Sequence, residues 1–318
     1  MKKITKILFF FLSISFFTLS SYCQQKPVEI TFKRNDDKSI DFYFKKTSPG
    51  STYIIVNFNR LENAKTKPII KKTVKGFTGN LLKLEPYDDK KSINFSYTYS
   101  YILGNSKAKV ESQFKYVLPF KHGKEVQVHD LNYLGEKFGN AEPKNFKSIQ
   151  FLTSPNDTVY ASRKGLVVEI KNEYSEDTTT EYSYKNKANH IIIEHEDGTL
   201  AKYGVLKKNS ILVKVGDKVY PSKPIAIAGT YDKPENSQLR FEVYFLDNEI
   251  ITSRKLGEKQ TLASQKHFYA FVNPFFHTKS NTTHLNSGEK YIATCSDEII
   301  ELEMSKREKK KWLKMKSK

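Results

Sequence analysis

The sequence predicts an all-β protein: a small N-terminal β-sandwich-like domain, a core domain built on an antiparallel β-sheet, and a short basic helix at the C-terminus. Three observations carry that expectation. In "SINFSYTYSYIL", Ile93, Phe95, Tyr97, Tyr99, Tyr101 and Leu103 fall on one face and Asn94, Ser96, Thr98 and Ser100 on the other, the period-two pattern of a half-buried strand. Such runs are separated by turn signals, among them Asn35-Asp36-Asp37 and Ser48-Pro49-Gly50. Helical periodicity is absent from residues 116–256. With 38% hydrophobic and 13% aromatic residues, 318 residues exceed one ordinary domain and can build two cores.

Lys2, Lys3 and Lys6 precede an apolar run from Ile7 to Leu19, and Ser20, Ser21, Tyr22 and Cys23 follow. Basic, apolar and small segments in that order read as a signal peptide over residues 1–23. The apolar run of thirteen residues is short of the roughly 20 that span a bilayer as a helix. The expected localisation is therefore exported, in the periplasm or cell envelope. Tyr22 is bulkier than the residue that normally precedes a lipid-anchored cysteine. Once Cys23 is removed, Cys295 is the lone cysteine, so no internal disulfide forms and stability rests on the core.

Residues 24–118 form the sandwich-like domain, with "VEITFKR", "SIDFYFKK" and "STYIIVNFN" repeating the strand period. Nothing there gathers catalytic side chains, and a spacer or interaction module is the expectation. Residues 119–256 continue as strands around glycine turns. "TVYASRKGLVVEI" turns at Arg163 to Gly165, "NHIIIEHEDGTLAKYGVL" at Glu196-Asp197-Gly198, and "ILVKVGDKVYPSKPIAIAG" at Gly216-Asp217. All three read as hairpins. The polar stretch from 172 to 189 has the length of a functional or mobile loop.

Residues 257–295 are expected to add strands, "HFYAFVNPFFH" and "KYIATC", to the sheet. Residues 296–318 read as one basic helical tail capped by Ser296. Its last thirteen residues carry eight basic side chains against Glu308, a large part of the formal +18. Such a block is either a solvated terminus or a docking element for an anionic surface such as lipid headgroups, wall polymers or an acidic partner. Nucleic acid is not an expected partner of an exported chain.

Four blocks in order resemble the lysostaphin or LytM-type zinc endopeptidases, which cut peptide cross-links in peptidoglycan. They are "SIQFLTSPNDTVYASRKGLVVEI", "NHIIIEHEDGTLAKYGVL", "VKVGDKVYPSKPIAIAG" and "QLRFEVYF". The last two resemble the family's "VxxGdxVxxGxxIAxxG" and "HLHFEv". The resemblance implies a LytM-type sheet core and a catalytic zinc held by three protein ligands with one position left open. In the family those ligands come from an H-x-x-x-D element and the second histidine of H-x-H. The first histidine of H-x-H and that of Y-x-H assist water attack.

At the corresponding positions this chain departs from the pattern. Gln150 stands for the aspartate, Gln238 and Arg240 for H-x-H, and Tyr203, Gly204 and Val205 for Y-x-H; the equivalent of the first histidine falls near Asn140, Ala141 or Phe146. Arginine keeps its charge and has no lone pair to give a metal. Zinc is therefore expected of the family but lost here, with no other cofactor implied. His190 and His195 lie five apart on opposite faces of a strand, and neither His122 with His129 nor His267, His277 and His284 has metal-site spacing. No G-x-S-x-G turn or phosphate-cradling loop is present, and Cys295 has no histidine partner in sequence.

The expected function is an exported, catalytically inactive peptidase-like protein that binds peptidoglycan or a cell-wall hydrolase partner and regulates or positions it. The alternative is an active peptidoglycan metalloendopeptidase with a non-standard zinc site. The degenerate cleft would consist of Gln150, Tyr203, Val205, Gln238, Arg240 and Glu242, with Arg240 reaching either Glu242 or an acidic ligand.

Overall fold

The structure, a computed structural model, describes residues 26–131, 144–175, 188–231, 234–253 and 268–316. The expected signal peptide, Asn140 and Ala141, His267 and most of the 172–189 stretch lie outside the described residues.

Six strands build the N-terminal unit: β1 (Val28–Arg34), β2 (Ile40–Lys46), β3 (Thr52–Glu62), β4 (Ile69–Val74), β5 (Thr78–Leu84) and β6 (Asn94–Leu103). They pair as two three-stranded sheets, β1-β2-β5 and β4-β3-β6. Alternation turns Ile30, Phe42, Phe44, Ile54, Val56 and Phe58 inward to one core, where Phe42 meets Tyr97 at 5.3 Å and Phe58 at 5.8 Å edge to face. The aromatic face of β6 lies on this core, and the hydroxyls of Tyr97 and Tyr99 donate across it to the carbonyls of Ile30 and Val28. The opposite face of β3 and β6 is not polar throughout. Tyr53, Ile55 and Ile102 pack there against Leu246, Ile251 and Phe268 of the following unit, which explains why β3 reads as a continuous apolar run, "YIIV".

The second unit comprises β7 (Lys115–Val117), β8 (Glu125–Asp130), β9 (Ile149–Leu152), β10 (Thr158–Tyr160), β11 (Gly165–Lys171), β12 (Asn189–Glu194), β13 (Leu200–Leu206), β14 (Lys218–Val219), β15 (Pro224–Ile227) and β16 (Gln238–Leu246). After α1 (Asn248–Ser253) come β17 (Tyr269–Val272), β18 (Phe275–His277), β19 (Thr282–Thr283) and β20 (Lys290–Ile292). The main sheet is antiparallel, in the order β14-β11-β12-β13-β16-β9-β8-β20, with β17 also paired to β16. The strands after residue 256 thus complete this sheet, while β18 adds to β7 in parallel.

Of the three expected hairpins only β12–β13 is one. The flanking segments exchange partners instead: β10 pairs β15, and β11 pairs β14. The cause is a corner at Ser162 and Arg163, both buried, which sends β10 and β11 into different sheets. Gly165 is not a turn glycine. It opens β11 where a Cβ would stand 2.4 Å from Ile193 Cγ2 and 2.7 Å from the Glu194 carbonyl oxygen. The C-terminal tail also differs from the single helix expected. Two helices form, α2 (Asp297–Glu301), capped by Ser296, and α3 (Lys306–Lys316).

The two units meet at a buried polar junction. Glu194, at the end of β12, accepts hydrogen bonds from the amide of Ser51 at 2.6 Å and from its hydroxyl. Lys46, 4% exposed, donates to the Gly50 carbonyl and to Thr52 Oγ1. Burial, only partly offset by the field of Glu194, lowers the Lys46 pKa to about 8. Gly50 permits this approach, because a Cβ would lie 2.3 Å from Val168 Cγ1 and 2.7 Å from Glu194 Oε2. Gly50→Ala is therefore expected to destabilise by about 1–3 kcal/mol through overpacking. Equilibrium urea unfolding checks it, and an unchanged midpoint would show that the junction yields.

Candidate functional site

The site is built on β16, one face of which is core and the other polar. Leu239, Phe241 and Val243 are buried, and the alternate positions Gln238, Arg240 and Glu242 point the other way. Register extends this face across the sheet. His129 lies opposite Gln150, Gln150 opposite Arg240, Arg240 opposite Gly204, and Gly204 opposite His190. Beside that row Lys202 lies opposite Glu242, and on its other side Gln127, Leu152 and Gln238 align.

Hydrogen bonds order part of this surface. Gln150 Nε2 donates to Gln238 Oε1 at 2.7 Å, and the Ser148 hydroxyl donates to Glu242 Oε1 at 3.0 Å. His190 Nε2 lies 2.8 Å from Glu169 Oε1. The internal Arg240–Glu242 pair allowed by the sequence does not form. Glu242 is engaged by Ser148 instead, and the Arg240 guanidinium carbon sits 5.4 Å from the centre of the Tyr231 ring. Arg240 Nε is buried without a hydrogen-bond partner, and its guanidinium forms no ion pair with a described residue.

Two of the six expected cleft residues lie elsewhere. Tyr203 is fully buried on the core face, because the alternation that brings Gly204 beside Arg240 turns its predecessor inward. Its ring packs on Phe241 at 5.1 Å and its hydroxyl accepts from the Ser162 amide at 2.8 Å. Val205 is the extra residue of a β-bulge: Asn189 pairs with Leu206 and His190 with Gly204, leaving Val205 unmatched at φ +63° and 3% exposed. A left-handed backbone at a β-branched residue is strained. The surroundings hold it there: the Gly229 amide donates to the Val205 carbonyl at 2.8 Å, and a Cβ on Gly229 would meet the Leu206 carbonyl carbon at 2.9 Å.

His129, Ser148, His190 and Lys202 share or border the polar face and were not named as cleft residues from sequence. Alternation gives each strand's two faces, but only register shows which faces coincide. Phe146 packs its ring on Phe271 at 4.8 Å and has no donor atom for a metal. Among the described residues, no three His, Cys, Asp or Glu side chains are grouped to hold a metal ion. Two amides and a guanidinium on the central strands are not a zinc donor set.

A second polar group lies inside the core. Arg163, 1% exposed, binds Asp197 at 2.8 Å and Glu303 at 2.8 Å, and Phe114 stacks on its guanidinium at 3.5 Å. His195 lies alongside, with Nδ1 2.7 Å from the Lys164 carbonyl oxygen and Nε2 buried without a partner. Burial first, then the field of Arg163, lowers the His195 pKa from 6.5 to about 3. The folded protein thus keeps this ring neutral, while the unfolded chain protonates it near 6.5, so its contribution to stability is complete above 6.5 and is lost as pH falls toward 3. His195→Asn, which retains a donor for the Lys164 carbonyl, should flatten the fall in urea midpoint between pH 7 and pH 4. Parallel pH profiles for the two proteins would show that His195 is not the sensing group.

Comparison with known proteins places this site in context. Residues 144–251 match the model of peptidase family M23. No match is found among curated proteins. Among solved structures, the chain is similar to pseudoalterin, a deep-sea M23 metalloprotease, at 14% identity over 57% of this chain and 96% of that one, with a TM-score of 0.31. A lytM glycyl-glycine endopeptidase from Ruminococcus gnavus gives 13% identity over 49% and 60%, with a TM-score of 0.28. A chain of the SpoIIQ–SpoIIIAH pore-forming complex gives 20% over 43% and 86%, with a TM-score of 0.27.

Proposed function

With residues 144–251 forming a domain of peptidase family M23, we propose that this chain is an exported, non-hydrolytic member of the family. It binds peptidoglycan or a wall-hydrolase partner on the surface that carries zinc in its relatives, and thereby positions or regulates cleavage by another enzyme. The observation that carries this reading is Arg240. It stands in the middle of the face, with Nε buried and no internal ion pair among the described residues, where a catalytic relative needs a metal ligand.

The chemistry favours an extended peptide bearing a carboxylate. A guanidinium presents paired donors that match a carboxylate in two parallel hydrogen bonds. Gly204 beside it has no side chain to cover it, and the Gln150–Gln238 amide pair offers further donors and acceptors along the same row. A strand-like peptide lying along this face would be held through its backbone as well as its acidic group.

The test is made on protein purified from its native envelope. The expected result is substoichiometric zinc by elemental analysis, intact sacculi after incubation, and co-sedimentation with them. Arg240→Ala should not lower the melting temperature, since no internal ion pair is lost and a buried unpaired donor is removed, and should weaken sedimentation by about tenfold or more, the scale expected when a buried interfacial charge contact is removed. One zinc per chain together with cross-link peptides whose release stops on chelation would replace this reading with a metalloendopeptidase of non-standard site. Unchanged sedimentation of Arg240→Ala would remove the cleft from the binding.

A further inference from the structure

We propose that the outward face of α3 is a docking surface for an anionic phospholipid bilayer, set rigidly on the core domain. This stands apart from the cleft reading and uses none of its residues.

The inner side of α3 is defined by its contacts. Ser305 and Glu308 form a capping box, the Ser305 amide donating to Glu308 Oε2 at 2.8 Å and the Glu308 amide to the Ser305 hydroxyl. The same Glu308 carboxylate accepts from Lys164 Nζ at 3.1 Å and Tyr220 OH at 2.9 Å. These hydrogen bonds, led by the one from the Ser305 amide, hold the Glu308 carboxyl down at about 2. Lys309 pairs with Glu301, and Lys316 with Asp297. Trp312, half-buried with Nε1 out of solvent, lies between these contacts on the helix surface.

At about 100° per residue, positions 308, 309, 312 and 316 share one side. Lys306, Arg307 and Lys310 then point away from the protein, with Lys311 at one edge of that face and Leu313 at the other. Lys306, Arg307, Lys310 and Lys311 are exposed, and none of these four is paired with a described residue; Lys314, on the same face, is exposed but engaged. Leu313 is 57% exposed.

The only acid of the helix is consumed on the inner side, so the outer face carries one sign of charge. Its order is fixed before any partner arrives, and little conformational entropy remains to be lost on docking. Charge alone would suit any polyanion. The exposed leucine at the edge of the cationic face decides for a membrane, where the lysines meet headgroup phosphates and the apolar side chain enters the acyl boundary. A polyphosphate or wall polymer offers nothing to that leucine.

Co-sedimentation of the protein as the cell exports it, with vesicles of phosphatidylcholine alone or mixed with phosphatidylglycerol, tests this. Binding should be at least tenfold stronger to the mixed vesicles at low salt and should fall steeply as salt rises. The triple variant Lys306→Glu, Arg307→Glu, Lys310→Glu should lose it while melting as the parent does, because none of the three holds α3 to the core. Leu313→Ser should weaken vesicle binding severalfold and leave retention on immobilised polyphosphate unchanged. Equal binding to both vesicle types, or full binding by the triple variant, overturns the proposal. If Leu313→Ser binds the mixed vesicles as the parent does, the surface reads polyanions rather than a bilayer, and the lipid assignment falls.

Discussion

One buried cation organises the second unit. Arg163 sits at the corner where β10 ends and β11 begins, and its charge is met by Asp197 from the β12–β13 turn and by Glu303 from the segment between α2 and α3. Removing one partner from such a pair leaves an uncompensated charge in the interior, at a cost of about 3–5 kcal/mol. The arrangement therefore fastens three distant parts of the chain to one point. It also bears on the state of its neighbour, because burial and then the field of the guanidinium hold the His195 ring neutral down to about pH 3. The C-terminal segment is thus a component of the fold rather than an appendage, and α3 inherits a fixed position from Glu303 and from the Glu308 contacts with Lys164 and Tyr220.

The architecture was legible where a local rule suffices. The alternation of β6 and the runs in β1, β2 and β3 gave strands, and the resemblance of four blocks gave the sheet core. Two kinds of feature escaped. Strand exchange between β10–β15 and β11–β14 could not be read, because a short connection looks like a hairpin whether or not its strands pair. The second buried face of β3 and β6 escaped for a related reason: Tyr53, Ile55 and Ile102 meet Leu246 and Phe268, which lie far away in sequence.

The candidate site divides along the same line. Gln238, Arg240 and Glu242 share a face because they alternate along one strand, and Gln150 joins them through the β9–β16 register. Tyr203 failed because parity was not followed back from Gly204, the residue that actually faces Arg240. Val205 failed because a bulge suspends parity altogether. That bulge is informative in itself. A β-branched residue at φ +63° is held in a conformation it disfavours, by Gly229 behind it and by pairing on either side. The strain thus sits at the residue after Gly204, beside the polar row.

This strain bears on what the surface is for. Were the face merely a sheet exterior, the simplest arrangement would satisfy its charges internally, and Glu242 two residues away would be the obvious partner for Arg240. Instead Glu242 is engaged by Ser148, the two glutamines are engaged with each other, and the guanidinium is left against an aromatic ring with Nε buried and unsatisfied. A buried donor without an acceptor costs roughly 1–3 kcal/mol. Such a cost, at the centre of an otherwise ordered row and beside a strained bulge, is what the proposed binding role would explain, since binding sites give up stability to leave a group ready for a partner. The unit that bears it is held from behind by Arg163 and from the side by Glu194, so the row is ordered before any ligand of the proposed kind arrives.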